Sequence, residues 1–169
     1  GSDDYEIRIF QHGDAISEVT ETEAIKDLCP IHLTKYGYAL ANGTVGVYNK
    51  TSRVWRVKSK NQPTCVEAFD LDSDGMPELI SGWSNGRFEG RNDNDGSLIY
   101  RQSFSSPISG IVKTDYRLDG RENVIACSLD GEVRGYLPAD GTEMTLSGGS
   151  KDESAMKELQ LRKQEFEQK

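Results

Sequence analysis

The chain has 169 residues, a hydrophobic fraction of 35% and a net charge of −8, a composition that fits one ordinary domain. This acidic balance argues against a nucleic-acid binder, because neutralising phosphates requires a basic surface. The three cysteines lie far apart without a C-x-x-C pair, which gives no support to a zinc site and predicts reduced thiols in a cytosolic protein.

Three glycine turns recur along the chain. They are Asn42-Gly43, Asn85-Gly86 and Asp130-Gly131, spaced by 43 and 45 residues. Each lies between two short apolar runs, so each predicts a β-hairpin, and the residue pair favours a two-residue type I′ turn. A hairpin that recurs every 40 to 50 residues or so is typical of β-propeller blades.

The repeat begins before the first of these turns, with a partial copy from Asp4 at a spacing of 38 residues. Second hairpins at Asp95-Gly96 and Asp140-Gly141 bring each period to about four short strands, which is one blade. We therefore predict an all-β fold over residues 1–146. It is a partial β-propeller of about three and a half four-stranded blades with a 38–45-residue repeat, followed by a C-terminal α-helix.

This blade number predicts an incomplete ring. Closed propellers have about four to eight blades, and an open arc exposes blade faces and sheet edges that pair readily with other chains. We expect the isolated chain to self-associate or to pack tightly on a partner.

An acidic loop carries the one motif with metal chemistry. Residues 70–78 follow the pattern D-x-D-x-D-G-x-x-E, and calcium prefers such oxygen ligands. The candidate ligands are the carboxylates of Asp70, Asp72, Asp74 and Glu78 and the main-chain carbonyl of Met76. The twelfth position holds Ser81 where an EF-hand has Glu, so the loop is not an EF-hand. It instead resembles the calcium loops of integrin-type propellers.

A purely structural role fits the same loop, with Asp70 and Asp72 capping backbone amides. The corresponding loop at residues 115–123 keeps the turn but has Arg117 in place of the middle carboxylate. That second loop is poorly suited to a cation, so the turn is expected to form without one in at least one blade. Both interpretations of the first loop stay open on the sequence alone.

The last part of the chain has a different composition. Residues 147–150 form a Gly/Ser linker, and a capping box at Ser150 predicts a helix over residues 151–169. The predicted helix places three apolar residues on the a and d positions of a heptad repeat, with Lys163 at the fourth; they are Met156, Leu159 and Phe166. This pattern fits either the start of a coiled coil or an amphipathic terminal helix that frays.

Four stretches resemble the family of the second Bardet–Biedl syndrome protein, a subunit of the BBSome. They are residues 1–10, residues 38–60, ELISGWSNG at 78–86 and SLDGEVRGYLP at 128–138. The resemblance covers nearly the whole chain, from the latter part of the amino-terminal propeller of that family to the first turns of the following helix.

This resemblance implies a non-enzymatic role in a coat-like complex that carries membrane proteins into and out of cilia. It implies a location in the cytoplasm, at the cilium and ciliary membrane, and at the basal body. It also implies contacts with other BBSome subunits. The helix from Lys151, through Met156, Leu159 and Phe166, is expected to pair with the corresponding helix of the seventh Bardet–Biedl syndrome protein.

Two other classes of protein are alternatives to a scaffold. The alternative function is an extracellular, calcium-stabilised propeller of the integrin type that binds a protein ligand. Two unused glycosylation sequons and three unpaired cysteines favour an intracellular scaffold over it. An enzyme is disfavoured, because His12 and His32 lie near no nucleophile motif such as G-x-S-x-G.

Overall fold

The structure is a computed structural model that describes residues 3–118 and 120–138. All regular elements in these residues are β-strands, which confirms the all-β prediction. The strands are β1 (Glu6–Gln11), β2 (Asp14–Thr20), β3 (Ile25–His32), β4 (Lys35–Leu40), β5 (Thr44–Asn49), β6 (Ser52–Lys58), β7 (Pro63–Phe69), β8 (Glu78–Trp83), β9 (Arg87–Arg91), β10 (Leu98–Ser103), β11 (Ile108–Thr114), β12 (Asn123–Ser128) and β13 (Val133–Tyr136).

The strands form four antiparallel sheets in chain order. The first sheet is β1–β2, the second is β3–β6, the third is β7–β10 and the fourth is β11–β13. Within each sheet every strand pairs with its neighbour in sequence, so each sheet is a meander. The second and third sheets therefore have the four-stranded form that the repeat predicts for a blade.

The glycine turns lie where the sequence predicts them, but the predicted turn type is wrong. The N–H of Gly43 donates to the carbonyl of Leu40 at 3.2 Å, and Gly86 and Gly131 make the corresponding bonds at 3.0 and 3.1 Å. Only the glycine of each pair has a positive φ, of 81° to 90°. These are three-residue loops, a type I turn closed by a left-handed glycine, rather than two-residue type I′ turns.

Glycine is required at two of these turns for a second reason. The outermost strand leads back past the turn, so a Cβ on Gly43 would lie 2.2 Å from the carbonyl oxygen of Ser59. A Cβ on Gly86 would lie 2.5 Å from that of Phe104, whereas one on Gly131 would meet no atom within 4 Å. The Cβ on Gly131 has free space because the described part of the fourth sheet ends at its third strand, so no fourth strand leads back past that turn.

The core lies between the sheets, which stack face to face. Strand β7 contacts β3 and β4 on one side and β11 on the other. The joint between the second and third sheets is apolar and contains Cys29, Ile31, Ala39, Val45, Val47, Trp55, Val66, Ala68, Leu79 and Trp83. A second apolar cluster lies between the third and fourth sheets and includes Phe69, Ile80, Phe88, Phe104, Ile108 and Val124.

The joint between the first and second sheets is smaller and richer in tyrosine. Its buried members are Ile7, Tyr38, Leu40 and Tyr48. The linker predicted at residues 147–150 and the helix predicted at residues 151–169 lie outside the described residues.

Candidate functional site

The acidic loop connects β7 to β8 and folds around its own carboxylates. Asp70 accepts hydrogen bonds from the N–H groups of Asp74 (3.2 Å) and Gly75 (2.9 Å). Asp72 also accepts from the Asp74 N–H, at 3.1 Å, and Asp74 accepts from the N–H of Met76 at 2.7 Å. These bonds are the backbone capping that short acidic side chains provide in turns.

Glu78, the first residue of β8, closes the base of the loop. It is buried, and its carboxylate accepts a hydrogen bond from the Leu71 N–H at 2.7 Å. The pKa of Glu78 is raised to about 7, mainly by burial and also by the negative charges of Asp72, Asp70 and Asp74, while the hydrogen bond from the Leu71 N–H lowers it. The loop therefore concentrates negative charge around a carboxyl that would gain from a nearby cation.

The structure brings three of the predicted ligands together. One oxygen each from Asp70, Asp72 and Glu78 lies within 4.8 Å of the others. The Asp74 carboxylate is outside this group. Three converging carboxylates fit the oxygen preference of calcium, but they are fewer than the six to eight ligands that the ion takes.

The corresponding loop between β11 and β12 provides an internal comparison. Asp115 accepts a hydrogen bond from the Gly120 N–H at 2.7 Å, just as Asp70 accepts from Gly75. Asn123 occupies the position of Glu78, is equally buried and donates to the Arg121 carbonyl at 3.0 Å. The turn thus forms in the fourth sheet without the acidic cluster, which supports a structural role for the first aspartate of each loop.

The three thiols form no disulfide; Cys29 is buried, and Cys65 and Cys127 are partly buried. Burial raises the pKa of Cys29 well above its ordinary value and that of Cys65 to about 11. Thiols held in the protonated form react slowly, as expected for structural rather than catalytic cysteines.

Exposed apolar side chains concentrate at the two ends of the stack. Among residues 3–118 and 120–138, nine of the eleven large exposed hydrophobic residues belong to the first and fourth sheets or to the segments next to them. Those of the first sheet are Tyr5, Phe10 and Ile16, and those of the fourth are Val112, Tyr116, Leu118, Leu129, Val133 and Leu137. Exposed apolar surface of this kind often marks a contact with another protein.

Sequence reasoning missed a buried polar cluster at the joint of the first two sheets. Glu21 there accepts hydrogen bonds from the hydroxyl of Tyr48 at 2.5 Å and from Arg53 at 2.9 Å. The alternation of Tyr36 and Tyr38 on β4, opposite Tyr48 on β5, was the available signal for a tyrosine-lined face. The partner Glu21 is distant in sequence, and no local pattern indicates it.

The described part of the chain has no helix with the length and hydropathy needed to cross a lipid bilayer.

Solved structures of low sequence identity share this fold. One is a crystal structure of BBS1N in complex with ARL6DN, which matches with a TM-score of 0.71 and 14% identity over 85% of this chain and 43% of the other. Another is BamB from Moraxella catarrhalis, with a TM-score of 0.64 and 14% identity over 90% of this chain and 47% of the other. These neighbours place the chain in the class of β-propeller-like folds.

Sequence relatives define the family. The model of the ciliary BBSome complex subunit 2, middle region, matches residues 1–91. The chain is 51% identical to human BBSome complex member BBS2 over 97% of its own length, and 31% identical to Caenorhabditis elegans bbs-2 over 80%. The chain belongs to the family of BBSome complex subunit 2, which confirms the resemblance seen in the sequence. It spans 23% of the human relative and 18% of the nematode one. These relatives do not support the alternative of an extracellular integrin-type propeller.

Proposed function

We propose that this chain is a non-enzymatic scaffold segment of a BBSome subunit, which works by holding other subunits of a ciliary membrane-protein trafficking complex. The observation that carries the proposal is the similarity to BBSome complex member BBS2 along 97% of the chain. The stacked sheets agree with it, because propellers present extended surfaces for protein contacts more often than they supply chemistry. The corresponding locations are the cytoplasm, the cilium and its membrane, and the basal body.

In this proposal, residues 1–146 are about three and a half blades of a larger propeller. The second and third sheets serve as complete blades and the first and fourth as partial ones. Exposed apolar residues on the two end sheets support the idea, since blades within a ring bury both faces. Residues 147–150 act as a linker to the helix at 151–169.

The helix is proposed to be the element that pairs with another subunit. Met156, Leu159 and Phe166 would form its apolar seam against the helix of the seventh Bardet–Biedl syndrome protein. The a/d spacing of these residues supports the idea, because such a stripe is stable only when it is covered.

Co-purification tests this assignment. The full chain and a version that ends at Ser147 are each co-expressed with the seventh Bardet–Biedl syndrome protein. A third version carries Met156→Ser, Leu159→Ser and Phe166→Ser, and a matched control carries Lys157→Ser and Gln164→Ser away from the seam. We expect the full chain and the control to retain the partner, and the truncated and seam variants to lose it.

Two results would count against the proposal in different ways. Partner binding by the truncated chain would move the interface from the helix to the sheets. If the full chain, with its fold intact by circular dichroism, also retains no other BBSome subunit when each is co-expressed with it in turn, the scaffold role itself is contradicted.

The exposed end sheets also predict self-association of the isolated chain. Light scattering across a concentration series should show a mass above that of one chain. A single monomeric species at all concentrations would contradict this prediction.

Calcium binding by Asp70, Asp72, Asp74, Met76 and Glu78 stays a prediction. If the loop binds the ion, calcium should raise the melting temperature relative to chelator in the wild-type chain but not in Asp72→Ala. Equal melting curves in both solutions would leave the loop as a capped acidic turn. Arg117→Ala in the corresponding loop is the matched control, since it is expected to change neither curve.

A further inference from the structure

A groove of about 450 Å³ lies between the first and second sheets. Its apolar lining comes from Ile9 and Ile16 of the first sheet and from Pro30, Leu33 and Tyr36 of the second sheet and its first turn. None of the residues that line it is acidic, although the chain carries a net charge of −8. A volume of this size is within the range of clefts that bind ligands, and such clefts have a mainly apolar lining with a few polar groups.

The turn between β3 and β4 places Leu33 in an unfavourable backbone conformation. The turn has two residues, Leu33 and Thr34, between the last residue of β3 and the first of β4. The φ of Leu33 is 41°, in the left-handed region that Gly, Asn or Asp adopts at lower cost. The side chain of Leu33 is also 93% exposed, the highest value among the large hydrophobic residues that the structure describes. Burial within the chain therefore does not offset the strain at Leu33.

The surroundings of this turn hold it in place. The carbonyl of Thr34 accepts a hydrogen bond from the N–H of Lys50 at 2.8 Å, and the Thr34 hydroxyl donates to the side-chain oxygen of Asn49 at 2.7 Å. The ammonium group of Lys35 pairs with Asp93 at 2.6 Å. Backbone strain persists where the surrounding structure fixes it in this way, and it clusters at binding sites. The groove is therefore preformed, and a partner can bind with little rearrangement.

The groove also has one cation to offer to a partner. Lys50 is exposed and lines the groove, and its ammonium group forms no ion pair within residues 3–118 and 120–138. The other lysine of the lining, Lys35, is already neutralised by Asp93. An apolar groove beside one unpaired cation is complementary to an apolar side chain with a carboxylate next to it.

We propose that this groove docks a segment of another BBSome subunit, one that carries apolar side chains next to an Asp or a Glu. The inference rests on the proposed scaffold function and assigns a contact surface to it. The partner's apolar side chain enters the groove against Leu33, and its carboxylate pairs with Lys50. An apolar anchor with a charged pair at its edge is a common arrangement in protein interfaces. An anionic lipid surface fits less well, because the chain is acidic overall and the apolar lining is concave.

Photo-crosslinking in the assembled complex tests the proposal. Photoreactive benzoylphenylalanine replaces Leu33 in the full-length subunit or, as the matched control, replaces Leu118. Leu118 is 90% exposed and has a φ of 57° in the corresponding turn of the fourth sheet, but it does not line the groove. Mass spectrometry of the purified complex identifies the crosslinked peptide. We expect position 33 to crosslink to an apolar segment of another subunit with an Asp or a Glu beside it, a segment that position 118 does not reach.

The same experiment has results that would overturn the proposal. Position 33 could crosslink only to its own chain, to a second copy, to lipid, or to a segment without a carboxylate, or it could give no crosslink in an assembled complex. Each of these results contradicts the docking site and leaves the scaffold function intact. If the unmodified full-length subunit assembles with no other subunit, both proposals fail.

Substitutions separate a docking role from a structural one. Leu33→Asn relieves the left-handed strain but removes the apolar contact. The melting temperature of the chain should therefore stay the same or rise, while a synthetic peptide of the crosslinked segment should bind at least about tenfold more weakly. Lys50→Glu should also weaken binding of this peptide, more at low salt than at high salt. Leu118→Asn should leave the affinity unchanged, and unchanged peptide binding by Leu33→Asn would overturn the proposal.

Discussion

The two four-stranded sheets in the middle of the stack and the two shorter sheets at its ends have the same strand pattern but bury it differently. Strand β8 of the third sheet is buried at all six positions, whereas β13 of the fourth sheet is buried at none. Because each middle sheet has a neighbour on both faces, its two inner strands, β4 and β5 or β8 and β9, are buried at most positions. The end sheets have one neighbour each among the described residues, and they and their adjoining loops carry most of the large exposed apolar side chains of this part of the chain.

The largest expected effect compares a substitution in the middle of the stack with one at its end. Trp83→Ala, between the second and third sheets, should lower the free energy of unfolding by about 3–5 kcal/mol, because a fully buried indole leaves a cavity. Val133→Ala in the fourth sheet should lower it by less than about 1 kcal/mol, since that side chain is 64% exposed. Urea titrations of both variants measure the difference. Similar losses of stability would contradict the claim that the middle sheets are more tightly buried than the end sheets.

Two equivalent glycine turns, one in the second sheet and one in the fourth, allow a closer comparison of the middle and the end of the stack. Gly43→Ala and Gly131→Ala both place a side chain at φ of 90°, which costs about 1–2 kcal/mol. Only at Gly43 does the new Cβ also meet a backbone oxygen, at 2.2 Å. We therefore expect Gly43→Ala to cost about 2 kcal/mol or more, and Gly131→Ala to cost about 1 kcal/mol. Equal losses in thermal unfolding would show that the outer strand does not crowd the turn.

A smaller effect depends on pH and distinguishes the two acidic loops. The folded pKa of Glu78, about 7, lies above its ordinary value of 4.5, so the folded state holds a proton that the unfolded state has released. Its contribution to stability is full below about pH 4.5 and is lost as the pH rises through 7. In chelator, the wild-type chain should thus lose more stability than Glu78→Gln between pH 5 and pH 8.

Glu122→Gln is the control for this pH dependence, because Glu122 is exposed and lies in the loop of the fourth sheet. We expect it to follow the wild-type profile. A Glu78→Gln profile that also matches the wild type would mean that burial does not perturb this carboxyl.

The sequence predicted the sheets well because their signals are local. Gly43, Gly86 and Gly131 mark the hairpins, and apolar runs mark the strands. The turn type was missed, because Asn-Gly suits both two- and three-residue loops. The choice between them follows from pairing, such as Ala39 opposite Val45.

The candidate site was predicted only in part, because only some of its contacts join residues that are close in sequence. The acidic residues of the first loop are close in sequence, so the approach of Asp70, Asp72 and Glu78 could be expected from spacing. The meeting of Glu21 with Tyr48 and Arg53 joins segments 27 and 32 residues apart. It depends on how two sheets stack, which no local pattern records.

Amide hydrogen exchange tests the central claim most directly, namely that the chain is a run of blades whose end sheets are completed by neighbours. It should be measured in the isolated chain and in the full-length subunit assembled in its complex. We predict fast exchange for β1, β2 and β13 in isolation and strong protection in the complex, with β4, β5 and β8 protected in both. Equal protection of end and middle sheets in the isolated chain, unchanged on assembly, would contradict the account.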